Sequence, residues 1–424
     1  MSEWKVGLLG FGTVGSSFAE VLAASGRKDI RITHVFNRGV ERKRTSARAK
    51  FVPAEARWTE NVEEILNSPD VDVIVELIGG VYPIEDWVRT ALKSGKHVVS
   101  ANKQLIAVRG TELLPYAEKC GRQLLYNAAV AGGVPVIPGL AQGLGGDSIE
   151  RVSGIINGTC NFMLSAMEGG TEYADILREA QRLGYAEADP SADVDGYDAR
   201  AKLAILARLA MSADLKAESI PTQTISRVSA TDFAYACELE CTIRQISRAE
   251  KTAAAVRARV APMLVPKSSS LALSRDTQNT VVTSGKFGGD VVFSGHGAGG
   301  HATAVAVMSD VLCVAGGSVQ LRPPAVKTEV DGDVFAPHYL RFVVRDEPRI
   351  VARIASALAD EGVNIDSVLQ HRGHAADKLP FVITTEPGLR STLDRALATI
   401  AAMSFLVEEP LAMQILVVDD APTD

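Results

Sequence analysis

Between Gly184 and Ala207 the chain reads GYAEADPSADVDGYDARAKLAILA, which gathers Glu187, Asp189, Asp193, Asp195 and Asp198 ahead of Lys202. Four apart on a helix, Asp198 and Lys202 share a face, with the acid nearer the N-terminus as pairing prefers. Ala201, Leu203, Ala204, Ile205 and Leu206 leave that helix no polar face, so it reads as buried. An ammonium rarely enters such surroundings unpaired, because leaving water is costly. A carboxylate-rich pocket with one lysine suits a small substrate that carries an ammonium group and has a proton to be moved. Two plainer readings fit the same residues: a structural Asp–Lys pair and a solvated acidic turn. A calcium loop does not. Asp193-Val-Asp195-Gly196 echoes an EF-hand, but that frame needs an acid at position 191 and a glutamate at 202, where Ser191 and Lys202 stand.

Such residues need elements to hold them, and the N-terminus supplies a first set. Lys5–Leu9 is a short apolar strand, Gly10-Phe11-Gly12-Thr13-Val14-Gly15 follows at once, and a helical pattern runs from about Ser16 to Ala24. Glycines so placed let the backbone turn tightly and approach a pyrophosphate, which the helix N-terminus stabilises. A glycine turn without a ligand is the alternative. The second strand, Ile32–Phe36, ends in Asn37-Arg38, where an acid usually meets the ribose hydroxyls of NAD. Arg38, with Arg42, Lys43 and Arg44 downstream, instead offers positive charge to a 2′-phosphate, which favours NADP(H) over NAD(H). For Arg42 to Arg44 a basic surface helix explains the charge as well. Strands at Val71–Leu77, Lys96–Ser100 and Leu124–Tyr126, separated by helical stretches, predict an α/β fold with a parallel, doubly wound Rossmann-type sheet. The loops Leu77–Gly80 and Ala101–Lys103 fall at its ligand-binding end, so Lys103 reaches cofactor or substrate unless it is a plain surface lysine.

At 424 residues the chain has length for two or three domains. A hydrophobic fraction of 46% with 22% charged residues describes a soluble globular protein. The net charge of −7 argues against nucleic acid and anionic membrane as partners. No apolar run is long enough to span a bilayer, and the N-terminus enters a strand without a cleavable signal. Cys120, Cys160, Cys237, Cys241 and Cys313 show no CxxC spacing, which fits a reducing cytoplasm.

Beyond the first domain, Ala128–Ile137 is apolar and glycine-rich, with carbonyls free to coordinate a hard cation or to accept a close backbone contact. Ser153–Leu164, SGIINGTCNFML, places Asn157-Gly158-Thr159 in a turn. Met211–Leu264 reads as helices and short strands with little chemistry. Thr280–Thr283 and Asp290–Phe293 read as an antiparallel pair in an α+β substrate domain. The boundaries that follow are 1–130 for the Rossmann domain, completed by a helix near 303–320, then 131–302 for the substrate-binding, catalytic and dimerisation domain. A proline-rich linker at 321–337 precedes a module at 338–424. In that module strands at Tyr339–Val344, Gly362–Asp366, Phe381–Thr384 and Met413–Val417 alternate with helices at Arg349–Glu361 and Ser391–Ala402 in the order βαββαβ. His371 and His374, in a polar loop, read as exposed.

Together these segments resemble the homoserine dehydrogenase family. The likeness is carried by GFGTVG, Ala101-Asn102-Lys103, the VAGGVP loop, INGTCN, the long GYAEADPSADVDGYDARAKLAIL signature and the late glycine loop from Gly295 to Ala304. It implies reversible hydride transfer between L-homoserine and L-aspartate 4-semialdehyde, with a nicotinamide cofactor, in threonine, methionine and isoleucine biosynthesis. It makes Lys202 the proton donor and acceptor, Lys103 a second lysine near nicotinamide and substrate, and Glu187 and Asp198 the substrate-binding acids. Phe11, Thr13 and Val14, with Gly184 and Gly299, would line the cofactor. An alkali cation, sodium or potassium, would sit on Asn127, Val130, Gly132 and Val134, largely through backbone oxygens. The family commonly has glutamate where this chain has Asn127: the carbonyl survives that change and the local charge does not. The last module resembles an ACT domain, which often binds amino acids at a subunit interface, with Gly362 and Asn364 in the ligand-holding turn. That implies a threonine effector in a homodimer or homotetramer, or a dimerisation module without ligand. Another semialdehyde oxidoreductase would lack the Glu187/Asp198/Lys202 set, and a non-catalytic amino-acid sensor would have lost Lys202 or the glycine loop. No aspartate kinase segment precedes the first strand, so a monofunctional chain is expected.

Overall fold

Alternating strands and helices from the N-terminus build a six-stranded parallel sheet in the computed structural model, which describes residues 3–252, 255–316, 333, 335–370 and 375–414. Its strands are β1 (Trp4–Leu9), β2 (Ile30–Phe36), β3 (Arg57–Thr59), β4 (Val73–Glu76), β5 (His97–Ser100) and β6 (Leu124–Leu125). Their spatial order is β3-β2-β1-β4-β5-β6, so the chain reverses direction across the sheet between β1 and β4. In a doubly wound sheet that switch point, at the carboxyl ends of the strands, is where ligands bind. Helices α1 (Thr13–Ala24) and α2 (Lys103–Lys119) start at this end. Val6, Leu8, Val73, Val75, Val98 and Val99 are fully buried, as strands covered on both faces require.

A second sheet, wholly antiparallel, follows in the order β11-β10-β7-β8-β9. It comprises β7 (Ile149–Ile155), β8 (Cys241–Lys251), β9 (Val256–Pro266), β10 (Gln278–Gly285) and β11 (Gly289–His296). Between β7 and β8 run α3 (Gly158–Glu168) and α4 (Tyr197–Met211). Leu203, Ala204 and Ala207 of α4 share a core with Val152, Ala249 and Val281 of the sheet. The expected pairing near Thr280 and Asp290 is present, with Val281 opposite Phe293. The stretch read as short strands before Leu264 is instead a hairpin of two 11-residue strands, β8 and β9.

Helix α5 (Gly300–Gly316) then returns to the first sheet, where Val307 and Val311 join the core around Leu8 and Phe18. Chain contacts divide the protein into units 1–323 and 324–424. The second unit runs β12 (His338–Val344), α6 (Ile350–Asp360), β13 (Ile365–Leu369), β14 (Leu379–Thr385), α7 (Arg390–Ala401) and β15 (Leu411–Gln414). Its sheet is antiparallel in the order β13-β14-β12-β15, with Ile354, Leu358, Leu393 and Ile400 packed on Leu340, Phe342 and Ile383. This is the βαββαβ order expected. Most of the stretch 321–337, together with His371, His374 and the expected strand residues past Gln414, lies outside the described residues.

Candidate active site

At the end of β4, Glu76 is fully buried and joins two loops. Its Oε1 accepts from the N–H groups of Ile78 (2.8 Å) and Gly79 (3.1 Å), and its Oε2 accepts from Ser100 Oγ (2.6 Å). Asn102 continues the tie: its N–H donates to Ser100 Oγ (3.1 Å) and its amide donates to the Gly80 carbonyl (2.6 Å). The same side chain accepts from Leu105 N–H (3.1 Å) and so caps α2. Lys103, the first residue of that helix, is thereby fixed at the rim of the sheet.

From the other sheet, Asn157 follows β7 and caps α3 by accepting from Cys160 N–H (2.8 Å). Its amide nitrogen donates to Asp193 Oδ1 (2.7 Å) and Asp198 Oδ2 (3.1 Å). Asp198 lies in the first turn of α4, and Lys202, one turn on, places Nζ 2.7 Å from Asp198 Oδ2 and 2.8 Å from the Ile156 carbonyl. Lys103 pairs with the other oxygen of Asp198. One buried carboxylate therefore faces two ammonium groups and an amide. Burial works against its charge, but Lys202 and Lys103 outweigh it and hold the Asp198 carboxyl well below the usual carboxylate range. Asp193 goes the other way. Burial raises it, the Asn157 amide opposes, and the charge of Asp198 raises it further. Sequence reasoning left Asn157 in a turn and Asp193 in an acidic run; the bonds from Asn157 to Asp193 and Asp198 span 36 and 41 positions along the chain, beyond any local pattern.

Lys103 and Lys202 line a cleft of about 290 Å³ together with Thr13, Val14, Gly132 and Gly299. The glycine loop fits a pyrophosphate. No side chain caps α1, and a Cβ on Gly12 would meet nothing within 4 Å. At Gly15 a Cβ would lie 2.1 Å from the Gly10 carbonyl oxygen, so helix and strand can approach only without one. Phe11 shapes this loop from within: its ring is buried edge-on against Trp58 (centroids 4.9 Å apart) and its N–H donates to Asn37 Oδ1 (3.2 Å). Arg38 is exposed at the end of β2 with no ion pair among the described residues. Gly184 is exposed as well and does not line the cleft. Glu187 is exposed three residues further on; its carbonyl accepts from Gln181 Nε2 (3.1 Å), and its carboxylate pairs with nothing among the described residues.

Among the described residues no group of three or more His, Cys, Asp or Glu side chains is placed to hold a metal ion. The loop from Asn127 to Val134 offers carbonyls instead, with Val130 and Val134 buried. Beside it lies a carboxylate without a cationic partner among the described residues. Asp310 of α5, 1% exposed, accepts from Asn127 N–H (2.9 Å). Burial pushes its carboxyl up to about 7, against hydrogen bonds from Asn127. A buried acid without a cationic partner beside a loop that carries oxygen donors fits a monovalent cation.

A lysine-bearing cleft at the switch point of a dinucleotide-type sheet defines a nicotinamide-dependent oxidoreductase. Residues 10–127 match the family model for the homoserine dehydrogenase NAD-binding domain, 135–312 that for homoserine dehydrogenase, and 338–402 that for the ACT domain. Homoserine dehydrogenase of Neisseria gonorrhoeae is 35% identical over 97% of this chain and 98% of its own, and that of Bacillus subtilis is 36% identical over 90% and 91%. The crystal structure of a homoserine dehydrogenase from Thiobacillus denitrificans superposes with a TM-score of 0.71 at 33% identity, covering 98% of each chain. The chain belongs to the homoserine dehydrogenase family. Its reaction is the NAD(P)-dependent interconversion of L-homoserine and L-aspartate 4-semialdehyde.

Proposed function

We propose that Lys202 gives the proton to the reacting oxygen during semialdehyde reduction and takes it back during homoserine oxidation. One observation carries this. Two of the three N–H bonds of Lys202 are engaged by Asp198 and Ile156, and among the described residues the third has no partner, on a side chain that lines the cleft. Lys103 shares Asp198 and is placed to stabilise the same oxygen as negative charge develops there. Asp198 orients both lysines, and Asp198 and Glu187 hold the substrate's ammonium and hydroxyl, which converts binding into orientation. The loop from Gly10 to Gly15, with Gly299, holds the cofactor, which supplies or accepts the hydride when bound. The free guanidinium of Arg38 supports a preference for NADP(H). Sodium or potassium would sit on the carbonyls of Asn127, Val130, Gly132 and Val134, balancing Asp310 and stiffening that wall of the cleft.

In the second unit an amino-acid effector, threonine first, is the proposed ligand. Gly362 and Asn364 form the turn before β13, where Asn364 Nδ2 donates to Glu386 Oε2 (3.1 Å). A cavity of about 180 Å³ lies at another turn, lined by Asp346, Arg349 and Gln370. Exposed Leu264 of β9 and Val292 of β11, at the two edges of the second sheet, suit burial in a homodimer or homotetramer. Five free thiols suit the cytoplasm. No described helix is long and apolar enough to cross a membrane. The test is homoserine oxidation followed with NADP and with NAD, with and without threonine, sodium and potassium. Faster turnover with NAD removes the role of Arg38, and indifference to threonine leaves the second unit an assembly module.

A further inference from the structure

Asn279 stands on β10 opposite Gly295 of β11, with 1% of its surface exposed. Among the described residues neither its amide nitrogen nor its amide oxygen has a hydrogen-bond partner. A buried primary amide left unpaired forfeits the hydration of two donors and an acceptor, so this one calls for a partner. The surroundings say which. The carboxamide lies flat under Gly297: a Cβ there would fall 1.9 Å from Asn279 Cγ and 2.0 Å from Nδ2, so the loop passes over the amide only as glycine. Gly297 begins the run Gly297–Gly300 that lines the cleft, and a Cβ on Gly132, which also lines it, would lie 2.5 Å from the Gly297 carbonyl oxygen. On its other side, β10 pairs with β7 through Thr280 and Ile155; one residue past the end of β7 is Ile156, whose carbonyl holds Lys202. The amide thus lies beneath the seam between the glycine loop and the strand end that anchors the catalytic lysine.

We infer that Asn279 is a positioning residue for the nicotinamide cofactor. When the cofactor settles in the cleft, the Gly297–Gly300 loop shifts so that its backbone pairs with the Asn279 carboxamide, and that pairing adds to cofactor affinity without contact between Asn279 and the cofactor. The inference rests on the reading of the cleft as the cofactor site, so the experiment carries a control for that reading. NADPH affinity is measured by fluorescence for the full-length protein, for Asn279→Leu, which is similar in shape and carries no polar atoms, and for Gly12→Val. Melting is followed with and without NADPH, and KM is separated from kcat. For Asn279→Leu the ligand-free melting temperature is expected to hold or rise. NADPH affinity is expected to fall about 5- to 10-fold, the cost of one or two hydrogen bonds, with the melting gain from NADPH reduced, KM for cofactor raised and kcat at saturation within about twofold of the parent. Asn279→Ser gives the same reading if the leucine variant does not fold. Unchanged NADPH affinity in Asn279→Leu while Gly12→Val loses binding overturns the role of Asn279 alone. Unchanged affinity in Gly12→Val overturns the cleft reading and the inference with it.

Discussion

Asp198 and Asp310 are both carboxylates withdrawn from water on helices whose neighbouring positions are mostly apolar, yet their surroundings balance them differently. Asp198 has an ammonium on each oxygen and an amide beside one of them. It stays ionised far into acid, despite burial. Asp310 has hydrogen bonds from Asn127 and no cation among the described residues, and burial carries it to about 7. The difference teaches that depth alone does not set a carboxylate's charge; the count of neighbouring cations does. The first arrangement suits a centre that must keep its charge while protons move past it. The second leaves the carboxyl free to take up a proton near neutrality.

Removing a cation from the first region should have the largest effect. Lys202→Ala is expected to lower kcat about 10²–10⁴-fold, as for other positioned acid–base groups, while NADPH binding persists. Turnover near the parental rate would remove Lys202 from the chemistry. Asp198→Asn keeps the shape and discards the charge that orients two lysines. A fall of about 10²-fold in kcat/KM is expected, the usual cost of misplacing reacting groups by about 1 Å, and equal losses in kcat alone and in kcat/KM would show that orientation rather than affinity was lost. The stability the depressed Asp198 carboxyl contributes is present above its unfolded value near 4 and fades as pH falls below it. The Asn variant should therefore lose part of the parent's acid unfolding limb.

Asp310 has the opposite sign. Its folded carboxyl binds a proton more tightly than the unfolded one, so its contribution is greatest below about pH 4 and is lost as pH rises through about 7. Asp310→Asn, followed by urea melts from pH 4 to 8 in alkali-free buffer, should flatten that decline and gain on the order of 1–3 kcal/mol over the parent at pH 8. Parallel curves for the two proteins would sink the contrast drawn above. The smallest effect is expected for Asn157→Ala, which withdraws one amide from Asp198 and Asp193. A loss of about 1 kcal/mol in transition-state stabilisation, or about fivefold in kcat/KM, follows; no change would make that amide a helix cap and nothing more.

The parts of the fold with repetitive chemistry were legible in the sequence. Apolar runs interrupted by GFGTVG and by polar loops specify a parallel sheet, and Asp198 with Lys202 declares itself by helical spacing. The β8–β9 hairpin did not, for a physical reason. Its first strand buries Thr242, Arg244, Gln245 and Ser247, with Arg244 satisfied by Glu168 (2.8 Å), Thr242 and two carbonyls, so the alternation that marks a strand is masked by polar residues paired inside. Asn157 and Asp193 were visible only as a turn and a charge run, because what brings Asn157 to Asp193 and Asp198 is the packing of α3 against the short helix Ser191–Val194 that precedes α4. Asp310 carried a signal that went unread: a lone acid in VAVMSDVLCV asks for a partner just as a lone lysine in AKLAILA does.

Helix α5 has a consequence for how the protein is made. Val307 and Val311 seal a core whose other walls, Leu8 and Phe18, were synthesised some three hundred residues earlier. The nucleotide-binding half therefore cannot finish folding on the ribosome when its own six strands have emerged. It must wait until the substrate half has been translated and the returning helix has cleared the exit tunnel.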